Sequence, residues 1–147
     1  SDLVAIAPDD ESLTPLPERA AMLVAFDPVF VSKDTLRNLW EFRVSVTEIN
    51  GIAVTITDFT IETISVVEGF VESINLKQEK GLLTFIKWFD DCGKQQRGLI
   101  PGFDTACADI KINGAADEDI TLVWTFSGTD ENRNDVKAFG SVFLLID

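Results

Sequence analysis

Few residues in this chain are equipped for catalysis. Histidine is absent, which removes the commonest general base and metal ligand, and no GxSxG, P-loop or dinucleotide fingerprint occurs. A hydrolase triad of the usual kind is excluded. Paired acids could support glycoside hydrolysis, but 25 acidic residues in 147 offer many such pairs by chance. The oxygen-rich stretch Asp130, Asn132, Asn134 and Asp135 has a spacing that can wrap a hard cation such as calcium. It lacks the glycine and distal glutamate of an EF-hand loop, and Asp and Asn are also ordinary turn residues. A weak calcium site and a plain solvated turn both remain open there, as they do for Asp117-Glu118-Asp119. No other cofactor is implied.

Cys92 and Cys107 are the only cysteines, and their spacing is not that of metal ligands. They form either a disulfide, which would close a loop of about 15 residues and be worth roughly 3 kcal/mol, or two unrelated thiols. A bridge favours export. Trp88 and Phe89 fall on a stretch, Leu82 to Phe89, that is apolar at nearly every position and is expected to be a strand covered on both faces. Adjacent strand residues point to opposite sides, so one ring faces away from the main core. That ring either stacks on a sugar or anchors a protein, or is covered by the N-terminal segment or by the loop between the cysteines. Leu99, Ile100, Pro101, Gly102 and Phe103 form a second apolar candidate, either a binding loop or a lid on the end of the fold.

The elements that must position these residues are mostly strands. Trp40, Phe42, Val44 and Val46 alternate with polar residues, and Ile120, Leu122, Trp124 and Phe126 recur at the same period of two. A loop of Ile49, Asn50 and Gly51, with Gly51 at positive φ, would fold 39–61 into a hairpin pairing Val46 with Val54 and Val44 with Ile56. Beyond Ile56 the apolar phase slips by one, which predicts a β-bulge at Thr57 or Asp58. Phe42 would then lie opposite Phe59, Trp40 opposite Ile61, and Arg43 near Asp58. A second hairpin is expected to pair Phe126 with Val136, Trp124 with Ala138 and Leu122 with Gly140. Its other face carries Val123, Phe139, Phe143 and Leu145, too apolar to be left wholly in water, so the N-terminal segment or a partner covers it.

Residues 1–18, with Pro8, Pro15 and Pro17 among acids, read as a flexible tether, and 19–147 as one domain. From Ala21 to Val31 an edge strand interrupted by Pro28 is expected, with a short helix over Pro17 to Val24 as its competitor. Ser65 to Glu68 has capping-box spacing and Val67, Phe70, Val71 and Ile74 recur at helical intervals, so a helical turn or two is expected there. A short strand is expected near Ala108 to Ile112. The formal charge of −13 argues against nucleic acid and anionic lipid as partners. No apolar run approaches the ~18 residues of a membrane span and no signal peptide is visible. An opening Ser-Asp-Leu suggests a trimmed chain.

About seven short strands with regular turn signals indicate an all-β, two-sheet sandwich with one short helical segment. The stretches FDPVFVS, WEFRVSVTEINGIAVTITDF and WTFSGTDENRNDVKAFGSVFLL resemble immunoglobulin-like modules of bacterial secreted and cell-surface proteins, over roughly residues 22 to 147. The resemblance implies a non-catalytic spacer, adhesion or interaction unit in the extracellular space, with a protein or glycan partner. The alternative is a carbohydrate-binding module using Trp88 or Phe89.

Overall fold

The computed structural model describes residues 18–67, 70–113 and 118–146. Most of the expected tether, together with Glu68, Gly69 and Asp117, lies outside them. Nine strands and one helix are described: β1 Met22–Asp27, β2 Phe30–Ser32, β3 Leu39–Glu48, β4 Val54–Val67, β5 Phe70–Glu79, α1 Gly81–Trp88, β6 Leu99–Ile100, β7 Thr105–Asn113, β8 Ile120–Asp130 and β9 Asp135–Leu145. They form a two-sheet β-sandwich. One sheet has the order β1-β3-β7; the other runs β2-β9-β8-β4-β5, with β6 also paired to β4.

The first expected hairpin does not exist. β3 pairs with β1 and β7, whereas β4 pairs with β5, β6 and β8. The inward valines and aromatics of β3 and those of β4 therefore enter one core from opposite sheets, and Phe42 meets Trp124 of β8 rather than Phe59. Both arrangements bury the same alternating positions, so alternation alone could not separate them. The bulge is present, but in another ladder: the β4–β8 register shifts between Ile56 and Asp58, and Phe59 pairs with Phe126 and Ile61 with Trp124. Arg43 is ion-paired with Asp109, at 2.7 Å, rather than Asp58. The Asp58 carboxylate instead accepts the Gly81 N–H at 2.7 Å, at the start of α1.

The second hairpin forms with its register moved by two residues, Phe126 opposite Ala138 and Trp124 opposite Gly140. A shift of two keeps every side chain on its expected face. At the other end of the chain, β1 pairs with β3 while β2 pairs in parallel with β9, so Asp27-Pro28, a cis peptide, sits where the chain changes sheets. No helix forms over the described part of 17–24.

The helix and strand expected in the middle of the chain are exchanged. Val66 pairs with Val71 and Val67 with Phe70, so the stretch expected to be helical is a β-hairpin. Gly81–Trp88 is helical instead of extended. Leu82, Phe85, Ile86 and Phe89 recur at i, i+3, i+4 and i+7, while Leu83 is 81% exposed on the other side. A short apolar run satisfies both periods, and here packing decides. Phe85 and Phe89 are fully buried against Phe59, which stacks on Trp124 at 6.1 Å and on Phe126 at 5.5 Å between ring centroids. Trp40 closes the opposite end, its Nε1–H donating to the Leu145 carbonyl of the other sheet at 2.7 Å.

Because Phe59 contacts rings from both α1 and β8, Phe59→Ala should cost roughly 3–5 kcal/mol. Phe139→Ala, 73% exposed on the outer face, should change stability by less than about 1 kcal/mol. Urea unfolding midpoints of the two variants would check this pair of expectations.

Candidate functional site

The acidic turn after β8 holds the chain's own backbone. Asp130 is the next inward residue after Leu122, Trp124, Phe126 and Gly128, and it is buried. Its carboxylate accepts the N–H groups of Ala20 at 2.9 Å, Asn132 at 2.9 Å and Asn134 at 2.8 Å, and the Asn134 side-chain amide at 3.1 Å. The amides of Asn132 and Asn134 both donate to the Glu18 carbonyl at 2.9 Å, and Arg19 donates to the Asp135 carbonyl at 2.6 Å. Arg133 takes a φ of 68° inside the turn, which Asp130 N and Asn134 O close at 2.9 Å. The four residues weighed as calcium ligands thus bind residues 18–20. A cation at Asp130 would meet the lone pairs that these N–H groups occupy. Among the described residues no three or more acidic or cysteine side chains gather as a metal site. Asp119 accepts the Ile146 N–H at 3.0 Å.

Glu48 does the same work from the other sheet. It extends the inward series Trp40, Phe42, Val44 and Val46 and is fully buried. The backbone N–H groups of Ala21, Asn50, Gly51, Ile52 and Phe103 donate to its two oxygens at 2.6–3.2 Å. Gly51 sits at φ 82°, as its place in the loop predicts, and a Cβ there would lie 2.6 Å from the Phe103 ring. The two carboxylates therefore grip consecutive residues, Ala20 from one sheet and Ala21 from the other. Burial pushes the Glu48 carboxyl up, but its backbone donors outweigh that and hold it below its ordinary 4.5. For Asp130 burial acts in the same sense and is again outweighed, and its value falls from 3.8 to about 2. Charge stabilised by several N–H donors is the shared cause. In the sequence the apolar series of β3 ends at Val46, and the one signal of Glu48's role is an acid that continues the inward period.

The remaining candidates are scattered. Phe89 is buried in the aromatic cluster, which removes it as a stacking platform. Trp88 is half-buried on α1, its edge against Phe59 and Lys80 Nζ 5.2 Å from its ring centroid. Cys92 and Cys107 are joined in a disulfide, with Cα atoms 5.4 Å apart, tying the segment after α1 to β7. In the 99–103 loop Ile100 is buried in the core, while Phe103 is exposed beside Gly51. On the outer face of the larger sheet Phe143 stacks on Phe30 at 5.0 Å, with Phe30 63% exposed.

No family model matches this chain, and no curated protein does. Among solved structures it is similar to the CARDB domain of a Pyrococcus furiosus protein, at 12% identity over 87% of this chain and 97% of that one, TM-score 0.45. A second structure of that domain, in complex with two metal ions, is similar at 14% identity over 88% and 97%, TM-score 0.43. The ApaA protein of Bordetella pertussis is similar at 14% identity over 86% and 94%, TM-score 0.47.

Glu48→Gln should cost about 3 kcal/mol, because the amide cannot accept from every N–H that the carboxylate holds. With both folded pKa values depressed, the unfolded chain binds more protons in acid. The stabilisation is complete above pH about 5 and declines as pH falls through 4.5 and 3.8 toward the Asp130 value of about 2. Urea unfolding from pH 6 to pH 2.5 should show this loss, and Glu48→Gln/Asp130→Asn should flatten it. Equal slopes in the two proteins would refute it.

Proposed function

We propose that this chain is a non-catalytic immunoglobulin-like module of an exported bacterial protein, and that it acts as an interaction unit rather than as a bare spacer. The carrying observation is the aromatic surface on β2 and β9, where Phe30, Phe143 and the exposed Phe139 lie on the outer face of the larger sheet. Large exposed rings on a sheet face are a common feature of protein interfaces. The two buried acids are engaged by backbone donors, which supports a structural role for them. The Cys92–Cys107 disulfide supports export. A glycan platform has less support, because Phe89 is buried and Lys80 stands over Trp88.

A photo-crosslinking residue placed at Phe139, in the cells that make the protein, should yield a discrete protein adduct, whereas one at Glu41, on the outer face of the smaller sheet, should not. No adduct from position 139 would leave the spacer role. Alkylation of acid-quenched cells should find Cys92 and Cys107 unreactive until reduced; free thiols would contradict export.

A further inference from the structure

The two sheets differ in width, and the difference leaves an opening. Three strands cannot cover the inner face of a six-stranded sheet, and α1, packed on β4 and β7, covers only part of what is left. The remainder is a cleft of about 430 Å³, within the range of small-molecule sites. Its floor is the buried Leu122, Trp124 and Leu144, and Ile61, Ile110 and Ile112 form its sides. Lys80 and Trp88 stand at the mouth, and Lys111, on the outer face of the edge strand β7 opposite Glu41, lies at its rim.

Two observations define what would fit there. First, Trp124 is fully buried and its Nε1–H has no acceptor among the described residues. An unmatched buried donor costs roughly 1–3 kcal/mol, so it marks a position where an acceptor belongs. Second, both lysines of the mouth are cationic in a chain of net charge −13. Lys111 has Glu41 at 3.8 Å, a loose pair, and nearby Asp109 is already bound to Arg43 at 2.7 and 3.1 Å. Asp91 also lies beside Trp88 and Lys111, and its carboxylate accepts the Asp109 N–H at 2.7 Å.

We propose that the cleft binds a small amphipathic acid, with its carboxylate between Lys80 and Lys111, its apolar body between the sheets and an oxygen acceptor on Trp124 Nε1–H. The outer-face interaction surface is separate, and neither claim depends on the other.

Three probes separate the parts of this claim: 10-hydroxydecanoate, decanoate, which lacks the inner acceptor, and 1,10-decanediol, which lacks the carboxylate. Each is titrated, below any micelle concentration, into the ¹⁵N-labelled full chain, and the three indole N–H resonances are followed. The hydroxy acid should shift the Trp124 indole saturably and downfield and leave Trp40 unmoved. Decanoate should bind without that downfield shift, and the diol should bind about tenfold more weakly. Lys80→Gln/Lys111→Gln, and Lys111→Gln alone if the pair lowers the unfolding midpoint, should weaken the hydroxy acid by a similar factor while leaving the diol unchanged. Absence of a saturable Trp124 shift, equal movement of Trp40, or equal affinity for acid and diol would overturn the proposal.

Discussion

The structure depends on two carboxylates that face inward. Glu48 and Asp130 each stand where an alternating apolar strand would place its next core residue, one in each sheet. Burying a carboxylate is costly unless donors replace its water. Here the replacements are backbone N–H groups, which turns and chain ends otherwise leave unpaired. Glu48 draws in the 50–52 turn and Phe103, and Asp130 draws in the 132–134 turn. Between them they take hold of Ala20 and Ala21, so the chain is bound to both sheets just before β1 begins. The side chains of Asn50, Asn132 and Asn134 complete the seam by donating to the carbonyls of Arg19 and Glu18.

With that end closed, the interior is free to be aromatic. Phe59 lies at its centre, stacked against both Trp124 and Phe126 and in edge contact with Phe85, Trp88 and Phe89. The bulge at Thr57 brings Phe59 into phase with Ile56, and α1 supplies the rings that the narrow sheet cannot. The disulfide then ties the chain leaving α1 to β7, beside the Asp91 N–H that donates to the Cys107 carbonyl at 3.2 Å. The inequality of the sheets therefore accounts both for the helix and for the cleft beside it.

The sandwich, its inward faces and the positive φ of Gly51 were legible in residue type and alternation. Strand partnership was not: Val44 and Val46 are buried whether they pair with Val54 and Ile56 or enter the core from the opposite sheet. The phase slip located the bulge correctly, yet only the tertiary ladder shows that its partner is β8. Leu82 to Phe89 and Ser65 to Leu76 each fitted two periods, and the choice between them rests on Phe85 and Phe89 reaching Phe59 in one case and on the Val66–Val71 ladder in the other. The oxygen-rich turn was visible, but its chemistry was not, because residues 18–20, which it holds, are 110 or more positions away.

The most direct measurement is the carboxyl ¹³C resonance of Glu48 followed through an acid titration of the folded protein. Full burial with no donors would raise its midpoint above the ordinary 4.5, whereas the donor set lowers it. A midpoint below 4.5, with the Asn50 and Gly51 amide resonances moving in the same transition, is the result expected. A midpoint at or above 4.5 would mean that the buried group is not held as an anion, and the account of how this end of the sandwich is closed would fail.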